Sequence, residues 1–154
     1  MTSLVDALYV TKYNPFKYGE FVASFYSELT NVENNLLLAP LIVPLCSHHV
    51  FSGKLSNAKF GVKSKSTVWT IFSDRELLYD LQERLDDFKI LTDQSLQYCL
   101  ANDWLEIEIK MLNVIRLNPE EATFVKQKSA ANLGTLFSNL SVIDIYALLG
   151  ATPR

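Results

Sequence analysis

An apolar segment in the first third of the chain limits what this sequence can fold into. The run from Leu36 to Cys46 carries no charged side chain and is interrupted by Pro40 and Pro44. It is too short to span a bilayer, which needs about 20 apolar residues. A helix that is apolar on most sides has to be surrounded by protein. We therefore expect residues 34–48 to form a central core helix that its prolines bend or shorten.

The chain is large enough to enclose such a helix in one domain. It has 154 residues, of which 49% are hydrophobic and 20% charged, a composition that excludes disorder. The formal net charge of −3 excludes a basic protein that coats nucleic acid or membranes. Two cysteines, and an N-terminus without the pattern of a signal peptide, favour a cytoplasmic protein with reduced thiols.

The spacing of apolar residues predicts a single domain that is mainly α with a small β-hairpin (α+β). Residues 1–18 form an aromatic N-terminal arm, and residues 19–49 form two helices. Residues 50–72, with glycine, serine and lysine, are expected to be a Lys-rich loop. Residues 73–117 form a helix–turn–helix plus hairpin. Residues 118–154 form C-terminal helices, the first of them from Pro119 to about Leu140.

The middle of the chain has the element order of a winged helix. Ser73 and Glu76 have the spacing of a capping box, which predicts a helix start. A second helix, opened by Thr92 and Asp93, would occupy the recognition position. Polar and apolar residues then alternate from Trp104 to Met111, which predicts a strand, and a tight turn around Asn113 leads into a second strand. The second helix is acidic and polar, which suits a protein partner better than DNA.

A search for catalytic and metal-binding patterns gives no enzyme, no cofactor and no metal site. Cys46 and His48 have a Cys-x-His spacing, and Cys99 would add a third ligand only if the fold brought it close. The stretch from Gly61 to Thr67 lacks the Gly-Lys step of a phosphate-binding loop. Buried thiols and a polar helix end are the simpler interpretation. A zinc site, or a small enzyme built around Cys46 and His48, stays open as an alternative.

Charge is unevenly distributed along the sequence. From Asn34 to Ser73 there is no Asp or Glu, and the cationic side chains are Lys54, Lys59, Lys63 and Lys65. Lysines on an exposed loop can contact phosphates, so these four are candidate nucleic-acid contacts. The alternative is that they only keep the loop soluble.

Aromatic residues are concentrated near the N-terminus. Seven of them fall between Tyr9 and Tyr26, and tyrosine and phenylalanine are common at protein interfaces. Core and interface roles are equally compatible with this clustering. Tyr13, Phe16, Tyr18 and Phe21 are the candidate partner-binding residues.

Several short motifs point to one family. The tail contains Ala131-Asn-Leu-Gly-x-x-Phe137 and Ile145-Tyr-x-Leu-Leu-Gly-x-x-Pro153, and the first half contains Asn14-Pro-Phe16 and Leu37-Leu-Ala-Pro40. With these motifs the chain resembles the middle component of three-component ABC-ATPase systems, the small subunit of Lamassu-type antiphage defence.

The resemblance implies a non-catalytic accessory subunit. Its expected partners are a large coiled-coil ATPase of the SMC and Rad50 kind and an effector, often a nuclease. Any DNA contact is expected mainly through the complex, and no membrane contact is expected. The competing interpretation is a freestanding winged-helix transcription regulator that dimerises on DNA.

Overall fold

The computed structural model describes residues 3–61, 63–117, 120 and 123–153. The described part is mostly helical with one two-stranded antiparallel sheet, which confirms the predicted α+β class. The α-helices are α1 (Leu4–Lys12), α2 (Pro15–Glu28), α3 (Ala39–Cys46), α4 (Phe51–Ser56), α5 (Val68–Ile71), α6 (Leu81–Asp87), α7 (Lys89–Ala101), α8 (Lys128–Phe137) and α9 (Val142–Leu149). Two 3₁₀ helices cover Asn35–Leu38 and Arg75–Leu78, and the strands are β1 (Leu105–Glu108) and β2 (Asn113–Arg116).

The predicted central helix is present and buried. Residues 35–46 form a 3₁₀ turn followed by α3, with Pro40 in the first turn of α3 and Pro44 inside it. The side chains of Leu38, Leu41 and Ile42 are fully buried. Pro44 has no amide hydrogen to donate, so α3 lacks one backbone hydrogen bond, and the helix covers only the eight residues Ala39–Cys46.

Helix α2 is the centre of the fold and packs between α7 and α8. The approach to α8 is very close: a Cβ atom built on Gly134 would lie 2.3 Å from the backbone oxygen of Phe25. The rings of Phe25 and Phe137 contact edge to face nearby, with their centroids 6.1 Å apart. The tail motif that contains Gly134 and Phe137 therefore has a packing explanation, because only glycine fits this contact.

The hairpin is shorter than the alternating pattern predicts. β1 ends at Glu108, and the turn covers residues 109–112, so Asn113 begins β2 instead of forming the turn. The two strands pair antiparallel, with Leu105 opposite Arg116. The turn closes early because the Glu108 carboxylate accepts a hydrogen bond from the Met111 N–H at 2.9 Å.

The predicted helix starts at Ser73 and Thr92 are wrong. Asp74, not Ser73, accepts a hydrogen bond from the Glu76 N–H, and it begins a 3₁₀ helix instead of a long α-helix. The Ser73 hydroxyl donates instead to the backbone oxygen of Thr70. Helix α7 begins at Lys89, directly after Phe88, so Thr92 lies within it and is buried.

The stretch predicted as a Lys-rich loop contains a helix at each end. α4 and α5 form there because Phe51, Leu55, Val68 and Ile71 are buried in the core, so both ends are held against the protein. The described residues between them, 57–61 and 63–67, are not helical. An exposed loop is thus confined to the middle of the predicted range.

The first C-terminal helix begins later than predicted. The expected start at Asn118 and Pro119 lies outside the described residues, and α8 begins at Lys128. Residues 123–127 are not helical because backbone N–H groups in this stretch donate hydrogen bonds to side chains of α2. The Gln127 N–H donates to Ser24 Oγ at 2.9 Å, and the Val125 N–H donates to Glu20 Oε1 at 3.3 Å.

Among the described residues, no single helix is long and apolar enough to cross a membrane. Helices α8 and α9 would reach the required length only together, and they meet at a bend of 113°.

Candidate functional site

The N-terminal arm leaves the body of the protein as an exposed helix. Its N-cap is Ser3, whose hydroxyl accepts from the Asp6 N–H at 3.1 Å. No residue of α1 is buried, although most of its residues are apolar. The exposed fractions of Leu4, Val5 and Leu8 are 75%, 74% and 61%. A nine-residue helix is marginal in water by itself. Helix α1 therefore presents apolar area that the described residues leave exposed.

The predicted partner-binding residues lie further along the chain than these exposed apolar residues of α1. Leu4, Val5, Leu8 and Tyr9 have the i, i+1, i+4, i+5 spacing of one helix face. Ser3 with Asp6 also has the spacing of an N-terminal cap. These two patterns predict a capped helix with one apolar face, whereas the aromatic clustering points to later residues of the arm.

The four predicted partner-binding aromatics lie in different environments. Tyr18 is buried in a small second core cluster with Val43 and Leu91, and this burial raises the pKa of its phenol to about 12. Tyr13 and Phe21 are half-buried and pack against the same cluster. Tyr18 therefore has a structural role, and its removal would disturb folding before it affected an interface.

Phe16 is the one of the four that is exposed, at 66%. It lies at the second position of α2, where Asn14 caps the helix by accepting from the Lys17 N–H at 2.9 Å. The ring contacts Tyr98 edge to face, with centroids 5.1 Å apart. Phe16 is thus accessible to a partner, and its partner-binding role stays a prediction.

The predicted nucleic-acid lysines do not all lie together. Lys54 lies in α4, while Lys59, Lys63 and Lys65 lie in a mostly exposed non-helical stretch, residues 59–61 and 63–66, which we call the lysine loop. An open groove of about 460 Å³ runs between this loop and the end of α8, with Lys65 in its wall. The same wall contains Phe60 and Trp69, which the sequence analysis did not single out.

Cys46, His48 and Cys99 do not form a reactive centre. Burial raises the pKa of both thiols to about 12, so they stay protonated near neutral pH and are poor nucleophiles and metal ligands. The Cys99 thiol donates to the backbone oxygen of Gly19 at 3.0 Å. In the part of the chain that the structure describes, no three His, Cys, Asp or Glu side chains are placed to hold a metal ion.

His48 has a structural role at the start of α4. Its Nδ1 accepts hydrogen bonds from the backbone N–H groups of Val50 and Phe51, at 3.1 and 3.3 Å. Burial, with a smaller contribution from nearby Arg84, lowers the pKa of the imidazole. The neutral ring is the form that can accept these bonds. The geometry therefore supports a helix cap and gives no support to the alternative of a small enzyme.

The proposed recognition helix is largely a packing helix. The order of α6, α7 and the hairpin is the order predicted for the middle of the chain. However, α7 packs along α2, and its Tyr98 ring lies against Gly19. Its exposed residues include Asp93, Gln94 and Gln97, and no Arg or Lys occurs between Leu91 and Ala101. The one cation of α7 is Lys89 at its first position, so the rest of the helix has no positive side chain to neutralise phosphates. This face gives no support to a DNA-reading regulator, and the winged-helix assignment stays a prediction.

Comparison with known proteins places the chain in one family. No curated protein matches it, and no solved structure matches it. A family model does match, over residues 2–153, and that model describes the Middle Component 3 of ABC-three component systems. The match covers nearly the whole chain, including α1, the α2–α8 contact and the tail motifs, and an accessory role follows from it. The chain therefore belongs to the family of ABC-three component system Middle Component 3 proteins.

Proposed function

We propose that this protein is a non-catalytic accessory subunit that docks through α1 on a coiled-coil ATPase of the SMC and Rad50 kind. The observation that carries the proposal is the complete exposure of α1, a helix with the apolar side chains of Leu4, Val5 and Leu8 in solvent. Membership of a multi-component family supports it, because such a component has partner proteins.

The chemistry of α1 favours a helical partner. Asp6 and Lys12 are its charged residues, so the helix carries no net charge and has a continuous apolar face. An amphipathic or apolar helix binds most readily along an apolar groove between other helices. A coiled coil offers such grooves along its length, and packing there would also supply the stability that a short isolated helix lacks.

We further propose that the system is a Lamassu-type antiphage defence system in which this subunit helps to hold a nuclease effector inactive. The motifs of the tail and of the first half support this assignment. In this arrangement the subunit supplies binding surfaces, and the ATPase and the effector supply the chemistry.

The experiment that tests the proposal is capture of the ATPase from its own gene cluster by the tagged chain. Variant V5E/L8E places two charges on the apolar face of α1 while keeping good helix formers. The matched control is I90E/I143E, which makes the same change at two other exposed apolar positions, 74% and 80% exposed. Circular dichroism would establish that both variants are folded.

We expect V5E/L8E to lose at least tenfold in ATPase capture and I90E/I143E to bind like the natural sequence. Equal capture by V5E/L8E and the natural chain would exclude α1 as the docking helix. Failure of the natural chain to capture any ATPase, together with recovery of a DNA-binding homodimer, would favour the regulator instead.

A further inference from the structure

The two ends of the lysine loop are hydrogen-bonded to each other just before α5 begins. The Ser66 N–H donates to the backbone oxygen of Lys59 at 2.6 Å, and the Lys59 N–H donates to Ser66 Oγ at 3.0 Å. Phe60 and Lys65 are then paired in an antiparallel bridge. This pairing fixes an aromatic ring and a lysine at the same end of the groove.

Two aromatic side chains in the groove are exposed to solvent. Trp69, the second residue of α5, is 63% exposed, and Phe60 is 37% exposed. Both line the groove of about 460 Å³, together with Leu136 and Ser138 from the end of α8. A large aromatic in solvent is a common feature of binding surfaces, because its flat face can stack on a ligand ring.

A cation lies in the same wall of the groove as these rings. Lys65 lines the groove, and Lys59 and Lys63 are exposed on the same loop but outside the lining of the groove. The sequence from Asn34 to Ser73 contains no carboxylate. Glu28 also lines the groove, but its carboxylate lies 2.7 Å from the Lys126 ammonium group, which compensates its charge. An anion that enters beside Phe60 and Trp69 thus meets Lys65, the loop lysine in the wall of the groove.

From these observations we infer that the groove binds single-stranded nucleic acid. Unpaired bases would stack on Trp69 and Phe60, and the phosphates would contact the lysine loop. Stacked aromatics beside a cationic strip are the features that bind single strands without sequence preference. A duplex keeps its bases paired and inaccessible to the rings, so it would use the lysines alone.

The isolated 154-residue chain tests this inference, so the outcome does not depend on docking through α1 or on any ATPase. The two tryptophans differ in exposure: Trp104 is 8% exposed, so quenching of the fluorescence by an added oligothymidylate reports mainly on Trp69. Affinities of the variants are measured by polarisation of a labelled oligothymidylate over a range of salt concentrations.

Three variants divide the contributions. W69A removes the stacking surface and should weaken binding at least tenfold, while W69F keeps an aromatic ring and should restore most of the affinity. K59A/K63A/K65A should weaken binding and reduce the salt slope by about 2, as expected for three lost phosphate contacts on a single strand. The matched control K89A/K110A/K128A removes the same charge from exposed lysines elsewhere and should bind normally.

Four results would overturn the inference. The first is that the chain does not bind oligothymidylate at low salt, and the second is that both triple variants weaken binding equally. The third is that the chain binds a duplex of the same length as tightly as the single strand. The fourth is that it binds a polyglutamate peptide as tightly as the oligonucleotide. The last result would assign the groove to an acidic protein segment.

Discussion

Asn35 and Asn113 join the hairpin to the core because the side-chain oxygen of each accepts a hydrogen bond from the backbone of the other segment. Asn113 Oδ1 accepts from the Asn35 N–H at 3.2 Å, and Asn35 Oδ1 accepts from the Val114 N–H at 2.7 Å. The backbone oxygen of Asn35 also accepts from the Tyr26 hydroxyl at 2.8 Å. These bonds connect α2, the turn before α3 and β2, so the position of the hairpin depends on two amide side chains.

We expect Asn35→Ala to destabilise the protein by about 1–3 kcal/mol, because it leaves the part-buried Val114 N–H without an acceptor. Asn113→Ala should lower the free energy of unfolding by a similar amount, because it removes the acceptor of the Asn35 N–H. The measurement is the free energy of unfolding in urea. Asn113→Asp keeps the acceptor oxygen and is the control. If Asn113→Asp and Asn113→Ala lose the same stability, the hydrogen bond is not what holds the hairpin.

Gly134→Ala tests the close contact of α2 and α8. A Cβ at this position would lie 2.3 Å from the Phe25 oxygen, so the helices have to move apart. We expect a loss of about 1–3 kcal/mol or more in the free energy of unfolding. Gly53→Ala is the matched control, because a Cβ there meets nothing within 4 Å and alanine favours the helix by about 0.5–1 kcal/mol. Similar effects of the two changes would contradict the packing explanation.

The depressed pKa of His48 predicts that stability falls in mild acid. The folded state holds the proton less readily than the unfolded chain, whose imidazole titrates near pH 6.5, so protonation favours unfolding. The stability contributed by the neutral His48 ring is therefore fully present above pH 6.5 and is lost as the pH falls below that value. His48→Asn keeps an acceptor for the Val50 and Phe51 N–H groups but cannot titrate. Urea unfolding from pH 8 to pH 5 should show a smaller loss for His48→Asn than for the natural protein, and parallel curves would rule out this role.

Cys46 and Cys99 should be inert to thiol reagents in the folded protein. Both are buried, and burial raises their pKa to about 12, so little thiolate is present at neutral pH. Titration with a disulfide reagent should label neither thiol rapidly in native buffer and both in guanidinium chloride. Rapid labelling of Cys46 in native buffer would reopen the interpretation as a small enzyme.

Removal of residues 1–12 should leave the thermal midpoint nearly unchanged. Helix α1 has no buried residue, so its loss removes little of the core. A fall in the midpoint of more than a few degrees would indicate that α1 packs against the body in solution. Deletion beyond Tyr13 is different, because Tyr13 contacts Phe88 with ring centroids 5.3 Å apart.

The sequence predicts the buried parts of this fold better than their boundaries. The apolar run at Leu36–Cys46 is buried as expected, because no other environment suits a helix without a polar face. The helix starts at Ser73 and Thr92 are wrong because local signals competed: Asp74 is also a good capping residue, and Phe88 permits α7 to begin directly after α6. Several neighbouring residues can serve as the N-cap of one helix, and tertiary packing determines at which of them the helix begins.

The candidate sites required the tertiary structure for a similar reason. Tyr13, Phe16, Tyr18 and Phe21 have similar side chains and close positions in the sequence, but they lie on different faces of one helix and the turn before it. Tyr18 is therefore buried, whereas Phe16 is exposed. Phe60, Lys65 and Trp69 lie within ten residues, yet their common groove exists only because α8 supplies its opposite wall.

The sequence alone determined the fold class, the central helix, the buried thiols and the family resemblance, because each depends on residue type and spacing along the chain. Tertiary structure decided which aromatics are accessible, that α1 stays uncovered and that the lysine loop faces a groove. These properties depend on which surfaces pack against α2. That packing is set by contacts between residues far apart in sequence, such as Phe25 with Gly134.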